Sequence, residues 1–247
     1  MRLDQTWPGS LAFFSTLLKA CRTADMIAVV WSNDVAAVVI KPAGVATQAP
    51  APHASLETIL RSQFSARAPY LAFPHRLDRT VSGLILVAFT KRAARLLGEQ
   101  FEARRVRKTY LTLVQGNCPV DSATWIDHMR KVENEARVEV VNEHPSAGKP
   151  DVKRAELQMH VIERFEGKSL LELRPTSGRM HQIRIQCASR GHAILGDSLY
   201  GSEQSCAGLS DGAIALQASQ LEFNDPISGR QVSVTAPPAA WQQALHR

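Results

Sequence analysis

The stretch of sequence that decides the fold is the run Pro-His-Arg-Leu-Asp-Arg-Thr-Val-Ser-Gly at residues 74–83, which the apolar stretch 84–89 follows. It places the carboxylate of Asp78 between two arginines, just before a Ser-Gly turn and a predicted buried strand. An opposite charge within about 4–6 Å favours the ionised form of a carboxyl group. Taken alone, the run also fits a surface ion pair, which contributes only about 0–1 kcal/mol.

A second informative run, Leu-Arg-Pro-Thr-Ser-Gly-Arg-Met-His-Gln-Ile-Arg, occupies residues 173–184. Residues 174–190 contain four arginines and no acidic residue. The Thr-Ser-Gly turn predicts a helix that begins at about Met180. Its predicted apolar positions are Ile183, Cys187 and Ala188. Exposed backbone N–H groups at a helix start attract phosphate, and arginines strengthen that attraction. The pattern also fits a solvated basic helix, so this run alone leaves both interpretations open.

Together the two runs resemble the signatures of one family, the RluA-type pseudouridine synthases. The first signature, roughly His-Arg-Leu-Asp-Arg-x-Thr-Ser-Gly-Leu, corresponds to residues 75–84, and the second, roughly Thr-Gly-Arg-x-His-Gln-Ile-Arg, to residues 177–184. Four shorter matches follow family order: Lys-Pro-Ala-Gly at 41–44, Lys-Thr-Tyr at 108–110, Gly-Asp-x-x-Tyr-Gly at 196–201 and Ala-Pro-Pro at 236–238. Six motifs in register, from about residue 27 to the end, argue against coincidence.

The resemblance implies an α+β fold, the pseudouridine synthase catalytic core. Such a core has a bent, mixed but mostly antiparallel sheet, flanked by helices and loops, with the active-site cleft across the sheet. Independently, several adjacent strand patterns with few helices between them predict a largely antiparallel α+β domain rather than a βαβ repeat. We expect residues 1–26 to form an N-terminal extension with a short helix, too short for a separate RNA-binding module, and residues 27–247 to form the catalytic domain.

Local patterns predict individual elements along the chain. The predicted strands are Val35–Ile40, Leu84–Phe89, Tyr110–Val114, Arg137–Val141 and an alternating segment at 157–161, with a final hairpin that turns at 224–229. Ser55 is predicted to cap one helix, and Thr90 another that runs to about Arg105. Residues 116–135 and 142–152 are rich in Pro, Gly and charged residues, so we expect loops there.

Basic side chains are concentrated on the second predicted helix and just after it. Residues 91–108 carry seven basic side chains at 91, 92, 95, 104, 105, 107 and 108, against Glu99 and Glu102. This pattern fits an ordinary solvated helix face, or a rim that follows RNA phosphates beside the site.

The resemblance implies a specific chemistry for three residues. Pseudouridine formation breaks the C1′–N1 bond of a uridine, turns the freed uracil and rejoins it through C5, so it requires no cofactor and no metal. It requires a carboxylate near the ribose, as nucleophile at C1′ or base at C2′, and the resemblance gives this role to Asp78. It makes Arg184 the ion-pair partner of Asp78. It makes Tyr110 the residue that stacks on the target base and whose hydroxyl assists removal of the C5 proton.

The remaining site residues are expected to contact RNA. By resemblance, Arg76 helps to fill the space that an extruded uridine leaves, and Leu84 packs near the base. The further expected RNA contacts are Arg79, Lys108, Arg179 and His181. His75 is expected to be structural.

Composition agrees with an RNA partner and sets the remaining expectations. The 247-residue chain carries 29 Lys and Arg against 23 Asp and Glu, and a net charge of +6 suits an anionic partner. Four cysteines without a Cys-x-x-Cys pair favour neither a zinc site nor a disulfide framework, and point to a reducing cytoplasm. No apolar run reaches membrane-spanning length.

We therefore expect a monomeric enzyme that modifies uridines in a tRNA or rRNA stem-loop. The alternative from another class is a catalytically silent RNA-binding or chaperone protein on the same scaffold. A carbohydrate hydrolase is less favoured, because Asp78 has no evident second carboxylate partner.

Overall fold

The computed structural model describes residues 26–245 except 51–52, 67, 142–150 and 203. The predicted N-terminal helix and nearly all of the predicted extension lie outside the described residues. Within them, ten strands form one mixed sheet, and four α-helices and one 3₁₀ turn accompany it. The prediction of a mixed, mostly antiparallel α+β architecture is confirmed.

The strands are β1 (Val29–Ser32), β2 (Ala36–Lys41), β3 (Ser82–Ala88), β4 (Arg107–Gln115), β5 (Ser122–Lys131), β6 (Val138–Val141), β7 (Lys153–Phe165), β8 (Lys168–Pro175), β9 (Leu216–Asn224) and β10 (Gln231–Thr235). The helices are α1 (Leu56–Gln63), α2 (Lys91–Glu102), α3 (Gln182–Ala188) and α4 (Ala240–Gln243), with the 3₁₀ turn at Ser198–Tyr200.

One short parallel joint connects the two parts of the sheet. The strand order is β1-β2-β3-β9-β4-β8-β7-β5-β6, and β10 pairs with β9. The pairing of β3 with β9 is parallel, through Ser82 opposite Gln217 and Gly83 opposite Ala218, whereas the other described strand pairs are antiparallel. The loop that carries Asp78 leads directly into this joint, so the sheet topology fixes where the loop ends.

Strand β3 is buried on both faces of the sheet. Ile85 and Val87 belong to one apolar cluster, which also contains residues of α1 and α3. Leu84 and Leu86 belong to a second cluster, which contains residues of α2. Because alternate residues of a strand point to opposite faces, the continuous apolar run of β3 reflects a strand covered on both sides.

The structure contradicts the loop predicted at residues 116–135, because β5 lies within it. Strand β5 pairs with β7 on one side and β6 on the other. Its inward positions include Trp125 and Met129, which are buried, and between them Asp127, whose carboxylate accepts hydrogen bonds from Arg190. A charged residue at an inward position interrupts the apolar alternation on which the strand prediction depends.

Most of the other predicted elements are confirmed, with shifted ends. Ser55 caps α1 in a capping box, and the Thr90 side chain caps α2, which ends at Glu102 rather than near residue 105. Helix α3 begins at Gln182 instead of Met180, because His181 adopts a left-handed backbone with φ of 51°. The final hairpin is present as β9 and β10.

Gly83 provides a direct test of the parallel joint. Its φ is +116°, and a Cβ atom there would lie 2.3 Å from the carbonyl oxygen of Ala218. We expect Gly83→Ala to lower the free energy of unfolding by at least about 3 kcal/mol, since backbone must move apart at the joint. Urea denaturation measures this change.

Gly98→Ala is the matched control. Gly98 lies within α2, and a Cβ atom there would meet nothing within 4 Å. We expect this change to stabilise the protein by roughly 0.5–1 kcal/mol, because alanine is the better helix former. A Gly83→Ala protein as stable as the wild type would contradict the importance of the joint.

Candidate active site

A buried lysine stabilises the loop that carries Asp78. Lys41, at the end of β2, is fully buried. Its ammonium group donates hydrogen bonds to the carbonyl oxygens of Pro42 (2.8 Å), Val45 (2.7 Å) and Arg79 (3.3 Å). Burial lowers the pKa of Lys41 to about 8, and the charge of Asp78 opposes this shift. A buried cation is thus satisfied by the backbone next to Asp78.

Backbone contacts fix the loop on both sides of Asp78. The amide of Leu77 donates to the hydroxyl of Thr47 (3.2 Å), and that hydroxyl donates to the Leu77 carbonyl (3.0 Å). On the other side, the amide of Gly44 donates to the Arg79 carbonyl (2.8 Å). The turn at residues 41–47 therefore determines the position of the Asp78 backbone.

Arg184 approaches Asp78 from α3, but its closest partner is another carboxylate. Its Nε and Nη2 atoms each donate to Asp197 at 2.7 Å, while Nη1 lies 3.5 Å from Oδ2 of Asp78. Side-chain exposure is 5% for Arg184 and 1% for Asp197, against 32% for Asp78. Burial alone lowers the pKa of Arg184, but the hydrogen bonds and charge of Asp197, with the charge of Asp78, raise it overall. Asp197 therefore fixes the guanidinium so that one nitrogen faces Asp78.

Tyr200 completes the support of Arg184. The guanidinium carbon of Arg184 lies 5.0 Å from the centroid of the Tyr200 ring, which is a cation–π contact. The Tyr200 hydroxyl accepts a hydrogen bond from the Val138 amide (2.9 Å) and lies 2.9 Å from Nδ1 of His181. The sequence alone indicates no role for Tyr200 or Asp197, although both belong to the Gly-Asp-x-x-Tyr-Gly match.

His181 lies beside the carboxylate of Asp78. Its Nε2 atom is 3.8 Å from Oδ2 of Asp78. Burial lowers the pKa of His181 more than the charge of Asp78 raises it. The residue expected to contact RNA thus also forms part of the immediate surroundings of Asp78.

Tyr110 faces the same space from β4. Its residue pairs with Leu173 of β8 and Ala218 of β9, and it is 8% exposed. Burial, and then the charge of Asp78, raise the pKa of its hydroxyl. The phenol therefore keeps its proton, and its hydroxyl remains a hydrogen-bond donor.

Two adjoining cavities contain these side chains. The larger, a cleft of about 1270 Å³, exceeds the roughly 300–1,000 Å³ of small-molecule pockets. A smaller cavity of about 110 Å³ shares Asp78 and Tyr110 with the cleft and is also lined by Arg184. Six arginines and one lysine line the cleft against three carboxylates, so its potential favours an anionic ligand.

The structure brings most of the expected RNA contacts to these cavities. Arg76, Lys108 and Arg179 line both, whereas Arg79 lines only the cleft and donates from Nε to the Gly44 carbonyl at 2.8 Å. Burial lowers the pKa of Lys108.

Leu84, expected near the base, does not line either cavity. It is 1% exposed and belongs to the second apolar cluster, whereas Tyr110 belongs to the first. Val81 and Leu216 supply apolar surface to the smaller cavity instead. The alternation of side chains along β3 places Leu84 on the other face of the sheet.

His75 anchors the loop to β3. Its Nε2 atom accepts a hydrogen bond from the Leu86 amide (2.9 Å), and its ring stacks on Phe101 with centroids 4.7 Å apart. Burial, and then the charge of Lys108, lower the pKa of His75 to about 3, so the ring is neutral at physiological pH. These contacts are those of a structural residue.

Two backbone amides at the start of α3 are already engaged in hydrogen bonds. The amide of Gln182 donates to the Arg179 carbonyl (3.2 Å), and the amide of Arg179 donates to Oε1 of Gln182 (3.1 Å). The Gln182 side chain also donates to the Glu156 carbonyl, which ties this turn to β7. These bonds stabilise the turn and attach it to β7, while its residue Gly178 lines both cavities.

The described residues contain neither a candidate metal cluster nor a membrane-spanning helix. No group of three or more His, Cys, Asp or Glu side chains there has the arrangement of a metal site. None of the helices described has the length and apolar character needed to cross a bilayer.

Comparison with known proteins identifies the family. The family described as RNA pseudouridylate synthase matches residues 35–189, which include Asp78, Tyr110 and Arg184. The chain therefore belongs to the RNA pseudouridylate synthase family, and its resemblance to the RluA-type synthases is confirmed.

Curated relatives agree on the family and differ in their RNA. The chain is 36% identical to an uncharacterised RNA pseudouridine synthase of Chloroflexus aurantiacus, over 84% of this chain and 65% of that protein. It is 32% identical to ribosomal large subunit pseudouridine synthase C of Yersinia pestis (89% and 67%), and 34% identical to tRNA pseudouridine synthase C of Pectobacterium carotovorum (68% and 47%). The chain thus spans about two thirds or less of the length of these relatives.

Solved structures share the fold. Human RNA pseudouridylate synthase domain containing 1 matches with a TM-score of 0.67 at 27% identity, over 87% of this chain and 84% of that one. Human RNA pseudouridylate synthase domain containing 4 matches with a TM-score of 0.71 at 19% identity, over 96% of this chain and 97% of that one. This match shows the common fold.

The pair between Arg184 and Asp197 generates a prediction for stability and activity. We expect Asp197→Asn to lower the free energy of unfolding by about 3 kcal/mol, because it leaves a buried guanidinium without its charge partner. Turnover should fall as well, because Nη1 of Arg184 is then no longer aimed at Asp78. Urea denaturation and nucleoside analysis of treated RNA measure the two effects.

The exposed pair of Arg130 and Glu139, each side chain 43% exposed, is the control. Glu139→Gln should change stability by less than about 1 kcal/mol and leave turnover unchanged. Equal effects of the two substitutions would contradict a special role for Asp197.

Proposed function

We propose that this chain isomerises specific uridines to pseudouridine in structured RNA, either tRNA or rRNA. The observation that carries the proposal is the placement of Asp78 in a basic cleft, with Arg184 3.5 Å away and Tyr110 lining the same small cavity. The names of the relatives, which include ribosomal and tRNA synthases, support RNA as the substrate class.

Asp78 is the proposed catalytic carboxylate. Arg184 and His181 both approach it through Oδ2. Their placement on one oxygen leaves Oδ1 for the sugar of a bound nucleotide. A carboxylate oxygen in that position acts as nucleophile at C1′ or as base at C2′, and both roles agree with the geometry.

The target uridine must leave its stack before Asp78 reaches the ribose. Extrusion of a nucleotide costs a few kcal/mol, which contacts elsewhere must offset. Arg76 is exposed on the Asp78 loop and lines both cavities, so it is suited to occupy the space that the uridine leaves. The positive charge of the cleft lining offsets the negative charge of the RNA phosphates on either side of the target uridine.

Tyr110 is proposed to stack on the extruded uracil. Because burial and Asp78 raise the pKa of its hydroxyl, a phenolate base at this position is disfavoured. The stacking role and a hydrogen bond from the neutral hydroxyl are therefore favoured over direct removal of the C5 proton.

We further propose a monomeric enzyme of the cytoplasm. Cys118, Cys187 and Cys206 are free thiols, which agrees with a reducing compartment. The rival function is RNA binding without catalysis. It gives no reason for a carboxylate held by a buried arginine beside a tyrosine, so we favour the enzyme.

Asp78→Asn tests the catalytic assignment. We expect pseudouridine formation to fall by at least about 10³-fold, because the amide is neither nucleophile nor base. RNA affinity should be unchanged or tighter, because a negative charge leaves a basic cleft. Nucleoside analysis of RNA from a strain that lacks this protein, after incubation with enzyme, gives the rate.

The control is Asp121→Asn, since that side chain is 81% exposed and pairs with Arg164. It should react at the wild-type rate. Normal turnover by Asp78→Asn would refute the assignment, and a wild-type protein that binds RNA without forming pseudouridine would favour the silent alternative.

A further inference from the structure

Helix α2 ends in a motif that normally contains glycine. The Arg104 amide donates to the Phe101 carbonyl (3.1 Å), and the Arg105 amide donates to the Gln100 carbonyl (2.8 Å). This pair of bonds defines a Schellman motif, in which the residue after the C-cap adopts a left-handed backbone. That residue is Arg104, with φ of 55°.

A left-handed backbone is unfavourable for arginine. Glycine populates this region without steric cost, and asparagine tolerates it. The described non-glycine residues with positive φ are Arg104, Asn134 and His181. Asn134 is of the tolerant type and His181 lies beside Asp78, whereas Arg104 occupies the position that glycine normally takes in this motif. Strain of this kind is a marker of function when the side chain reaches a site.

The Arg104 side chain does reach a site. It is exposed and lines the large cleft, and the contacts of the described residues include no ion pair for it. Arg76 and Arg107 line the same cleft. The Arg107 side chain is 79% exposed, and its contact with Glu222 is long, at 3.9 Å. The guanidinium groups of Arg104 and Arg107 are therefore largely available to a ligand in the cleft.

The backbone that carries Arg104 is rigidly anchored. The Gln100 amide group is buried in the last turn of α2, where it donates to the Asn224 carbonyl (2.8 Å) and accepts from the Asn224 amide (2.7 Å). These two bonds attach the end of α2 to β9. The backbone at Arg104 is thus held in place before a ligand binds, which removes one part of the entropic cost of binding.

We propose that Arg104, with Arg107, forms a phosphate-binding subsite for the RNA backbone that flanks the target nucleotide, and that the unfavourable backbone of Arg104 is retained for this contact. The inference rests on RNA as the proposed substrate. A guanidinium fork matches the two non-bridging oxygens of a phosphodiester. Because phosphate contacts carry no sequence information, the subsite contributes affinity and orientation rather than the choice of uridine.

Arg104→Gly separates the backbone strain at this residue from the contribution of its side-chain charge to RNA binding. It should raise the melting temperature by roughly 2–4 °C, because the strain is relieved. It should also weaken binding of unfractionated tRNA or large-subunit rRNA by roughly three- to tenfold, and lower the slope of log affinity against log salt by about 1. Arg104→Asn, which also tolerates the backbone, should weaken binding to the same extent.

Two variants serve as controls, one for the loss of a positive charge and one for the change at a left-handed backbone position. Arg105→Ala removes the neighbouring exposed arginine, which does not line the cleft, and should leave the salt slope unchanged. Asn134→Gly alters a residue with a similar backbone, φ of 60°, in the turn between β5 and β6, and should leave RNA binding unchanged.

The outcomes distinguish this subsite from the catalytic proposal. Wild-type affinity and salt slope in both Arg104→Gly and Arg104→Asn would overturn the subsite, whatever the catalytic rate. An equal loss in Arg105→Ala would also overturn it, because the effect would then be one of general charge. If the wild type binds RNA with the expected salt slope but forms no pseudouridine, the catalytic proposal fails while the subsite stands.

Discussion

The buried ion pair between Arg184 and Asp197 is the constraint on which the site depends. Both side chains are almost fully buried, and two bonds of 2.7 Å satisfy the carboxylate. Desolvation of two charges is costly, and it is offset only when the geometry is good and the remaining polar groups have partners. Here the remaining nitrogen, Nη1, faces Asp78. The pair thus orients the Arg184 guanidinium towards Asp78 as well as stabilising the fold.

Buried polar groups hold the site together from several directions. Lys41 fixes the Asp78 loop through backbone carbonyls, and Asp127 ties β5 to Arg190 beside α3. Gln182 closes the turn before α3 and attaches it to β7. Each of these groups has hydrogen-bond partners, as most buried polar groups do. The sheet therefore acts as a frame on which a polar network positions a partly exposed carboxylate.

The sequence predicted those parts of the molecule that depend on local patterns. The apolar run of β3, the capping residues Ser55 and Thr90 and the final hairpin are visible in the order of residues, because each depends on neighbours in the chain. The motif matches brought Asp78, Tyr110 and Arg184 forward as candidates, and they meet around one small cavity.

Two of the three errors have a common physical origin. Strand β5 was missed because Asp127 occupies an inward position, and Asp197 was given no role because its partner Arg184 lies on another element. Leu84 was placed near the base, although the parity of β3 turns it to the other face. Hydrophobic periodicity cannot report a buried polar residue whose partner is distant in sequence, and the site is built largely from such residues.

The most direct measurement is the rate at which Arg184→Lys forms pseudouridine at saturating RNA, determined by nucleoside analysis. A lysine ammonium keeps the positive charge. It lacks the planar guanidinium, which binds Asp197 through two nitrogens while the third faces Asp78. We expect turnover to fall by at least about 10²-fold while RNA binding persists. Turnover close to that of the wild type would contradict the view that the fixed direction of this guanidinium makes Asp78 catalytic.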